Sequence, residues 1–333
     1  MKLLTASLVS TCLLLPLPLT AHAQQGAAPI PGGDAFPSRP IRIVVTNSPG
    51  GNPDILMRTL APKMTDDLGK SVVVENRPGG SGIIATEYVA KSPADGYTLL
   101  VGDPGPLAIN PWIFSKLPYQ ALKSFDSVSA LVVLPYVLVV RKDLPAATLQ
   151  DFVKAAKARP AQVSYGSSGT ASIHHLFMEI LSTSADIKLL HIPYKGASDV
   201  AAALLAGNID AGIIGLSASL DPIKTGRMRA LGFSRPRRAA VLPDVPTIAE
   251  QGFPGFDISV ALGLLTPAGT PRAAINRLNA SVVKAMRERD VVDRLTGLGM
   301  EIAASTPEQY DDIMKADYER YRRAVQAANL KMD

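Results

Sequence analysis

The 333 residues are enough for one large or two medium domains with a substantial core. Their net charge of +5 is scattered, with Arg235-Pro236-Arg237-Arg238 as the tight basic cluster, and no aromatic residues stand beside it, so a nucleic-acid surface is not expected. The one cysteine, Cys12, excludes a disulfide scaffold, and with 5% aromatic residues and abundant Gly and Pro the composition favours an α/β protein over an aromatic-rich sandwich.

Residues 1–23 carry Lys2, an apolar stretch from Leu3 to Leu19 and the small-residue site Ala21-His22-Ala23. This pattern predicts a secretory signal removed near Ala23. The apolar core is too short for a membrane span and contains Pro16 and Pro18. Cys12 lies within the signal, so the mature chain has no thiol for catalysis or metal binding. An exported chain without cysteine fits a bacterial periplasm. Residues 24–39, rich in Gly, Pro, Ala and Gln, are expected to be a disordered leader.

Order is expected from Pro40. Ile41 to Val45 is a short buried strand, and Thr46-Asn47-Ser48-Pro49-Gly50-Gly51-Asn52-Pro53-Asp54 is a glycine-rich turn into a helix with apolar residues at Ile55, Leu56, Met57, Leu60 and Met64. Two glycines allow main-chain N–H groups to face a ligand. There is no G-x-G-x-x-G and no Lys-Ser/Thr pair closing a P-loop, so this is not a nucleotide fingerprint. Asp54 reads first as a helix cap and second as a bond across a pocket.

The same unit then recurs. Ser71 to Glu75 is a strand, Asn76 to Gly82 a glycine-rich turn and the helix after it runs to about Ala90, with Arg77 read as tying its loop down through Glu75. Tyr97 to Val101 is the third strand, and it ends in Gly102-Asp103-Pro104-Gly105-Pro106. Asp103 is either a turn-stabilising acid or a group that meets a ligand ammonium or hydroxyl and so tunes specificity. After a surface segment at 112–125, Leu131 to Val140 is a long apolar strand interrupted by Pro135, as expected of a crossing between two lobes.

Residues 148–158 form a helix capped by Thr148, and the strand at 161–165 delivers Tyr165-Gly166-Ser167-Ser168-Gly169-Thr170-Ala171-Ser172, ahead of a helix from Ile173 to Leu181. A helix start presents unpaired N–H groups and a positive dipole end, so this loop is built to receive an anion. His174 and His175 point different ways on a helix, and with His191 they are not expected to bind a metal. Gly166-Ser167-Ser168-Gly169 is not G-x-S-x-G, and no acid completes a triad with Ser168 and either histidine. Further strands are read at 189–194, 211–214 and 229–233, with a helix at 200–206 and Ser217 at a strand exit. Ile258 to Leu265 is a second apolar crossing, and from Pro271 the chain is helical to about Arg289, pauses at Leu298-Gly299-Met300 and is helical again from Thr306-Pro307-Glu308 to near Leu330.

Ser48-Pro49-Gly50-Gly51 with Asp54, Val74-Glu75-Asn76-Arg77-Pro78-Gly79, Ala94-Asp95-Gly96-Tyr97, Leu117-Pro118-Tyr119, Tyr165-Gly166-Ser167-Ser168-Gly169 with His175-Leu176, Pro193-Tyr194-Lys195-Gly196, Leu242-Pro243-Asp244-Val245-Pro246-Thr247 and Pro267-Ala268-Gly269-Thr270-Pro271 occur in this order. Together they resemble the extracytoplasmic solute receptors of tripartite tricarboxylate transporters, the Bug or TctC family, over about residues 40–330. The resemblance implies a two-lobed periplasmic-binding-protein fold of type II-like form, with two crossing strands at the hinge. Lobe 1 is then 40–137 and 262–333, and lobe 2 is 138–261. It also implies a receptor, not an enzyme, that holds an organic carboxylate without cofactor or metal and hands it to integral-membrane transporter subunits; a monomer is expected.

The resemblance places the ligand at Ser48 to Asn52 and Ser167 to Ser172. The candidate ligand-binding set is therefore Asn47, Ser48, Gly50, Gly51, Asn52, Asp103, Gly105, Ser167, Ser168, Gly169, Thr170, Ala171, Ser172 and Ser217. This chain departs from its relatives in having Asn47 where they commonly carry an aromatic residue, in Asn52 and Pro53, and in Ala261 where they commonly have tryptophan. A more polar and roomier pocket follows from these departures. A ligand-sensing module for a signalling partner would use the same residues, and a serine-dependent hydrolase is the remaining alternative.

Overall fold

The β-branched and aliphatic run Ile41-Arg42-Ile43-Val44-Val45 has four side chains fully excluded from solvent, a pattern of a strand covered on both faces. In the computed structural model, which describes residues 36–170 and 172–327, it lies inside the first of two sheets, one strand in from the edge. Strand β1 (Ile41–Val45) leads into α1 (Asn52–Leu68), β2 (Val72–Asn76), α2 (Ile83–Ala90) and β3 (Thr98–Gly102). Then come a short α3 (Asn110–Ile113) and β4 (Phe125–Leu134). Strands β2 and β3 flank β1, both parallel to it.

The chain crosses to the second sheet at Pro135, which stands between β4 and β5 (Tyr136–Arg141). The apolar run 131–140 is therefore two strands in two sheets, because proline cannot donate to a continuous ladder. After β5 follow α4 (Leu149–Ala158), β6 (Ser164–Ser167), α5 (Ile173–Ala185), β7 (Leu190–Pro193), α6 (Ala197–Leu205), β8 (Ala211–Gly215), α7 (Leu216–Lys224) and β9 (Met228–Phe233). The order in this sheet is β7-β6-β8-β5-β9. Thr148 caps α4 as expected, in a reciprocal capping box with Asp151.

The return crossing ends at β10 (Val260–Pro267), which runs antiparallel between β3 and β4. Ser234 donates to Tyr136 O at 2.9 Å, Ile258 N–H donates to Ser234 O and Ser234 Oγ donates to Ile258 O, both at 2.8 Å, so the two crossings are tied side by side. The chain closes with α8 (Arg272–Met286), α9 (Arg289–Gly297), the two-residue β11 (Glu301–Ile302) and α10 (Pro307–Ala327). The first sheet reads β11-β4-β10-β3-β1-β2. Helix α10 packs along β4 and also touches α5 of the other lobe. The architecture is thus the two-lobed α/β arrangement expected from the sequence.

Several local expectations need correction. The leader ends earlier than residue 39: Phe36 is buried with its ring edge-on to Tyr97 at 5.1 Å, Ser38 N–H donates to Tyr97 Oη and Arg39 pairs with Asp95 at 2.7 Å. An aromatic residue flanked by proline had been masked by the polar composition around it. The strand before the serine-rich loop is 164–167, not 161–165, and the helix after Pro271 is divided into α8 and α9. The proposed signal, most of the leader, Ala171 and the end of the last helix lie outside the described residues. Among the described residues no helix is long and apolar enough to cross a membrane.

Candidate functional site

Adjacent parallel strands in each sheet deliver their exit loops to the same end of that sheet, the end at which open α/β sheets bind ligands. In the first lobe β1 and β3 are adjacent, with Val44 opposite Leu100. In the second lobe β6 and β8 are adjacent, with Tyr165 opposite Ala211. Helices α1, α5 and α7 each start directly after one of these strands, so their positive ends and unpaired N–H groups are carried to the same side. The two lobes meet there. Ser217 Oγ donates to Asn52 Oδ1, and the Asn52 amide lies against the main chain of Gly215, close enough that a Cβ at 215 would sit 2.6 Å from Asn52 Nδ2.

The first loop is held from within. Gly50 has φ +83, a conformation that glycine adopts without steric cost. Its N–H donates to Asp54 Oδ2 at 2.9 Å, and Gly51 N–H donates to Ser48 O at 3.3 Å. Both glycine N–H groups therefore serve the turn, contrary to the expectation that they face the ligand. Buried Asp54 does not cap α1, whose cap position is Gly51; it ties the loop to the helix and accepts from Arg58 Nε at 2.9 Å. Pro53 has no N–H, so the first turn of α1 offers the N–H groups of Asn52 and Asp54. Exposed Ser48 contributes a hydroxyl. Asn47 accepts from Thr46 Oγ1 with Oδ1 and from Asn76 with its carbonyl, which leaves the amide NH₂ as the donor end.

Gly105 and Asp103 form one unit. Gly105 N–H donates to Asp103 Oδ1 at 2.8 Å, the turn-stabilising role read from the sequence. Burial pushes the Asp103 carboxyl above the ordinary aspartate range. Arg77 also takes its structural role, pairing with Glu75 at 2.6 Å and lying 3.6 Å over the Tyr88 ring.

The second loop rests on histidines. Ser167 is fully buried; its hydroxyl donates to Gly169 O at 2.9 Å, so the 2.6 Å contact with His191 Nε2 has the imidazole N–H as donor. Ser167 therefore shapes the loop from below. Ser168 is half-buried and its Oγ lies 2.6 Å from His174 Nδ1. Gly169 has φ +117, outside the range that side-chain-bearing residues adopt comfortably. Thr170 is exposed, and Ser172 caps α5 by accepting from His175 N–H at 3.3 Å.

Sequence reasoning paired Ser168 with His174 or His175 but did not connect Ser167 with His191, 24 residues away, because a strand pairing brings His191 opposite Tyr165. The rings of His175 and His191 stack at 4.0 Å and 7°, and Tyr165 stacks on His191 at 4.9 Å. Face-to-face rings turn their π surfaces toward each other instead of their lone pairs, so this pair is not arranged to chelate an ion. Burial lowers the pKa of His174, His175 and His191 to about 4, so all three are neutral at pH 7. His174 Nε2 is buried without a hydrogen-bond partner among the described residues, and no carboxylate orients the ring. The Ser168–His174 contact thus lacks the third member that a nucleophile–base–acid chain requires.

Comparison with known proteins agrees with this geometry. Residues 56–330 match the model of the tripartite tricarboxylate transporter family receptor. The chain is 40% identical to a protein encoded in the tcbD-tcbE intergenic region of Pseudomonas sp. strain P51, covering 88% of this chain and 87% of the relative. Among solved structures, Rpa4515 of R. palustris with adipate superposes with a TM-score of 0.85 at 31% identity, covering 90% of this chain and 100% of that one. MatC from Rhodopseudomonas palustris with bound malate gives 0.82 at 29% identity, covering 87% and 100%. The family match spans most of the chain and the relatives align over nearly its whole length, so the chain belongs to the tripartite tricarboxylate transporter receptor family.

Proposed function

We propose that this receptor captures a small organic carboxylate in the periplasm, in the crevice between its lobes, and delivers it to the membrane subunits of a tripartite transporter. The observation that carries the reading is the convergence of three helix starts, α1 from one lobe and α5 and α7 from the other, on one crevice. Such starts offer oriented N–H donors to an anion. Hydroxyls of Ser48 and Ser168, the Asn47 amide and the N–H groups opening α1 and α5 make charge-assisted hydrogen bonds to the carboxylate. The lobes move about the two crossings at Pro135 and at residues 234–259, and a ligand that touches both lobes favours the closed form by its differential affinity. Dicarboxylates bound by two relatives support the ligand class.

The test is calorimetric titration of the mature protein, stripped of bound metabolites by unfolding and refolding, with aliphatic, hydroxy, amino and aromatic acids. Saturable one-to-one binding of an acid is the expected result. Absence of binding by every acid, to protein shown by circular dichroism to be folded, would overturn the reading.

A further inference from the structure

The carboxylate-receptor reading accounts for one end of the ligand, and the inference that follows rests on it and concerns the other end. Asp103 is the first residue after β3. The parallel neighbour β1, with Val44 opposite Leu100, leads at the same end of the sheet into the loop that carries Asn47, so Asn47 and Asp103 leave neighbouring strands on the same side. On its other flank lies β10, with Gly263 opposite Gly102, and beyond it β4, which runs on to the crossing at Pro135. Tyr136, the first residue beyond that crossing, feels the Asp103 charge, as do Tyr310 and Tyr321 of α10. Asp103 is thus placed where the first ligand loop, the hinge and the last helix come together.

Its surroundings are unusual for an acid. Oδ1 is fixed by the Gly105 N–H, but Oδ2 has no hydrogen-bond donor among the described residues and is not completely enclosed. Among the described residues no lysine or arginine lowers its pKa; burial is the dominant influence and tyrosines are the neighbours that feel its charge. A half-buried carboxylate without a cation is costly unless something else supplies the positive charge. A second ligand carboxylate at this point would add repulsion, and a hydroxyl would donate a bond without neutralising the charge.

We propose that Asp103 is the subsite for a protonated amine, and that the ligand class is a small amino-carboxylate whose carboxylate is held by the helix starts and whose ammonium is held by Asp103 Oδ2. The Asn47 amide, in the loop after the neighbouring strand β1, then marks the boundary between the anion-binding and cation-binding ends.

Titration of the stripped wild-type protein with pairs that differ in the amine tests this without any variant: aspartate against succinate, glutamate against glutarate and 4-aminobutyrate against butyrate, with malate as the hydroxyl counterpart. The amine-bearing member is expected to bind at least tenfold more tightly. In Asp103→Asn, where the amide oxygen can still accept from Gly105, that ratio should fall to within threefold through weaker binding of the amine, with the circular dichroism spectrum retained. Amine-free acids or malate binding wild type as tightly as aspartate would overturn the subsite and leave the carboxylate-receptor reading standing. Binding of no acid at all would remove both.

Discussion

Gly50, Gly51 and Gly169 look alike in the sequence as small residues in ligand loops, yet the backbone separates them. Gly51 has φ −73 and ψ 163, and an added Cβ would make ordinary contacts at 3.4 and 3.5 Å. Gly169 at φ +117 has room for a methyl group, 3.7 Å from Tyr194 O, but not the dihedral freedom. Gly169→Ala should therefore destabilise the fold by about 1–2 kcal/mol or distort the loop, lowering acid affinity more than tenfold. Gly51→Ala should change stability by less than about 1 kcal/mol, since loss of unfolded-state freedom offsets the small crowding. Urea unfolding of both variants decides it, and equal losses would show that the dihedral argument is wrong. The histidines make a second expectation at this scale. His174 is 5% exposed with its pKa lowered to about 4, below the unfolded value near 6.5, so the unfolded chain binds more protons between those values. Its contribution to stability is complete above about pH 6.5 and is lost as pH falls toward 4, by up to about 3 kcal/mol for this ring. Denaturation midpoints measured from pH 7.5 to 4 should fall more steeply for wild type than for His174→Gln; parallel profiles would remove His174 from the acid sensitivity.

Among the elements, the strands and the helices following β1, β2 and β6 were legible because each couples a short aliphatic run to a glycine or serine turn and a 3.6-residue apolar repeat. Helix α7 was not. Pro222 lies inside it and its opening Leu216-Ser217-Ala218-Ser219 has the composition of a loop, so only packing of Leu216, Ser219 and Pro222 into the second lobe identifies the helix. The two-residue β11 is equally silent in sequence, since it is defined by pairing with Val132 and Val133. Tertiary clamps share this property. At the end of α1, Asp67 accepts from Arg277 Nη1 at 2.6 Å and from Lys284 Nζ at 2.7 Å, both on α8, and Arg277 Nη2 also donates to the Asp67 carbonyl. The Lys284 and Arg277 bonds hold the Asp67 carboxyl well below the usual range. Its contribution is therefore present above about pH 4 and lost below it, as the native carboxylate is protonated. Asp67→Asn should cost about 1 kcal/mol at pH 7, since Arg277 and Lys284 keep some solvent contact, and the difference from wild type should shrink in unfolding experiments near pH 3. A constant difference at both pH values would mean that packing, and not charge, joins α1 to α8.

At the scale of the whole molecule, the lobes are held together by contacts between residues far apart in the chain, and no local pattern announces them. Asn52 meets Ser217 across 165 positions, Leu216 packs on Gly299, and Arg235 pairs with Glu301 at 2.5 Å. The anion-binding loops could be read from residue types because helix starts and hydroxyls have a fixed chemistry; which groups face which across the crevice depends on how the two crossings set the lobes. The Arg235–Glu301 pair is the best handle on that closure. Arg235 belongs to the strand-exit segment of the second lobe and Glu301 to β11 of the first, and the guanidinium side chain is 17% exposed while the carboxylate is 52% exposed. Separation of the lobes would break the pair and rehydrate both partners, which offsets much of the attraction and leaves a net value of about 0.5–1 kcal/mol. Glu301→Gln removes the charge at nearly constant shape and should shift the balance toward the open form by that amount. Dissociation of a bound acid, followed by stopped-flow displacement, should then accelerate about two- to fivefold, with association little changed. The effect should vanish at high salt, where the wild-type pair is itself screened. If release is unaltered at low salt and small-angle scattering of the ligand-free variant matches wild type, the pair plays no part in closure, and the Asn52–Ser217 contact with the ligand itself must account for it.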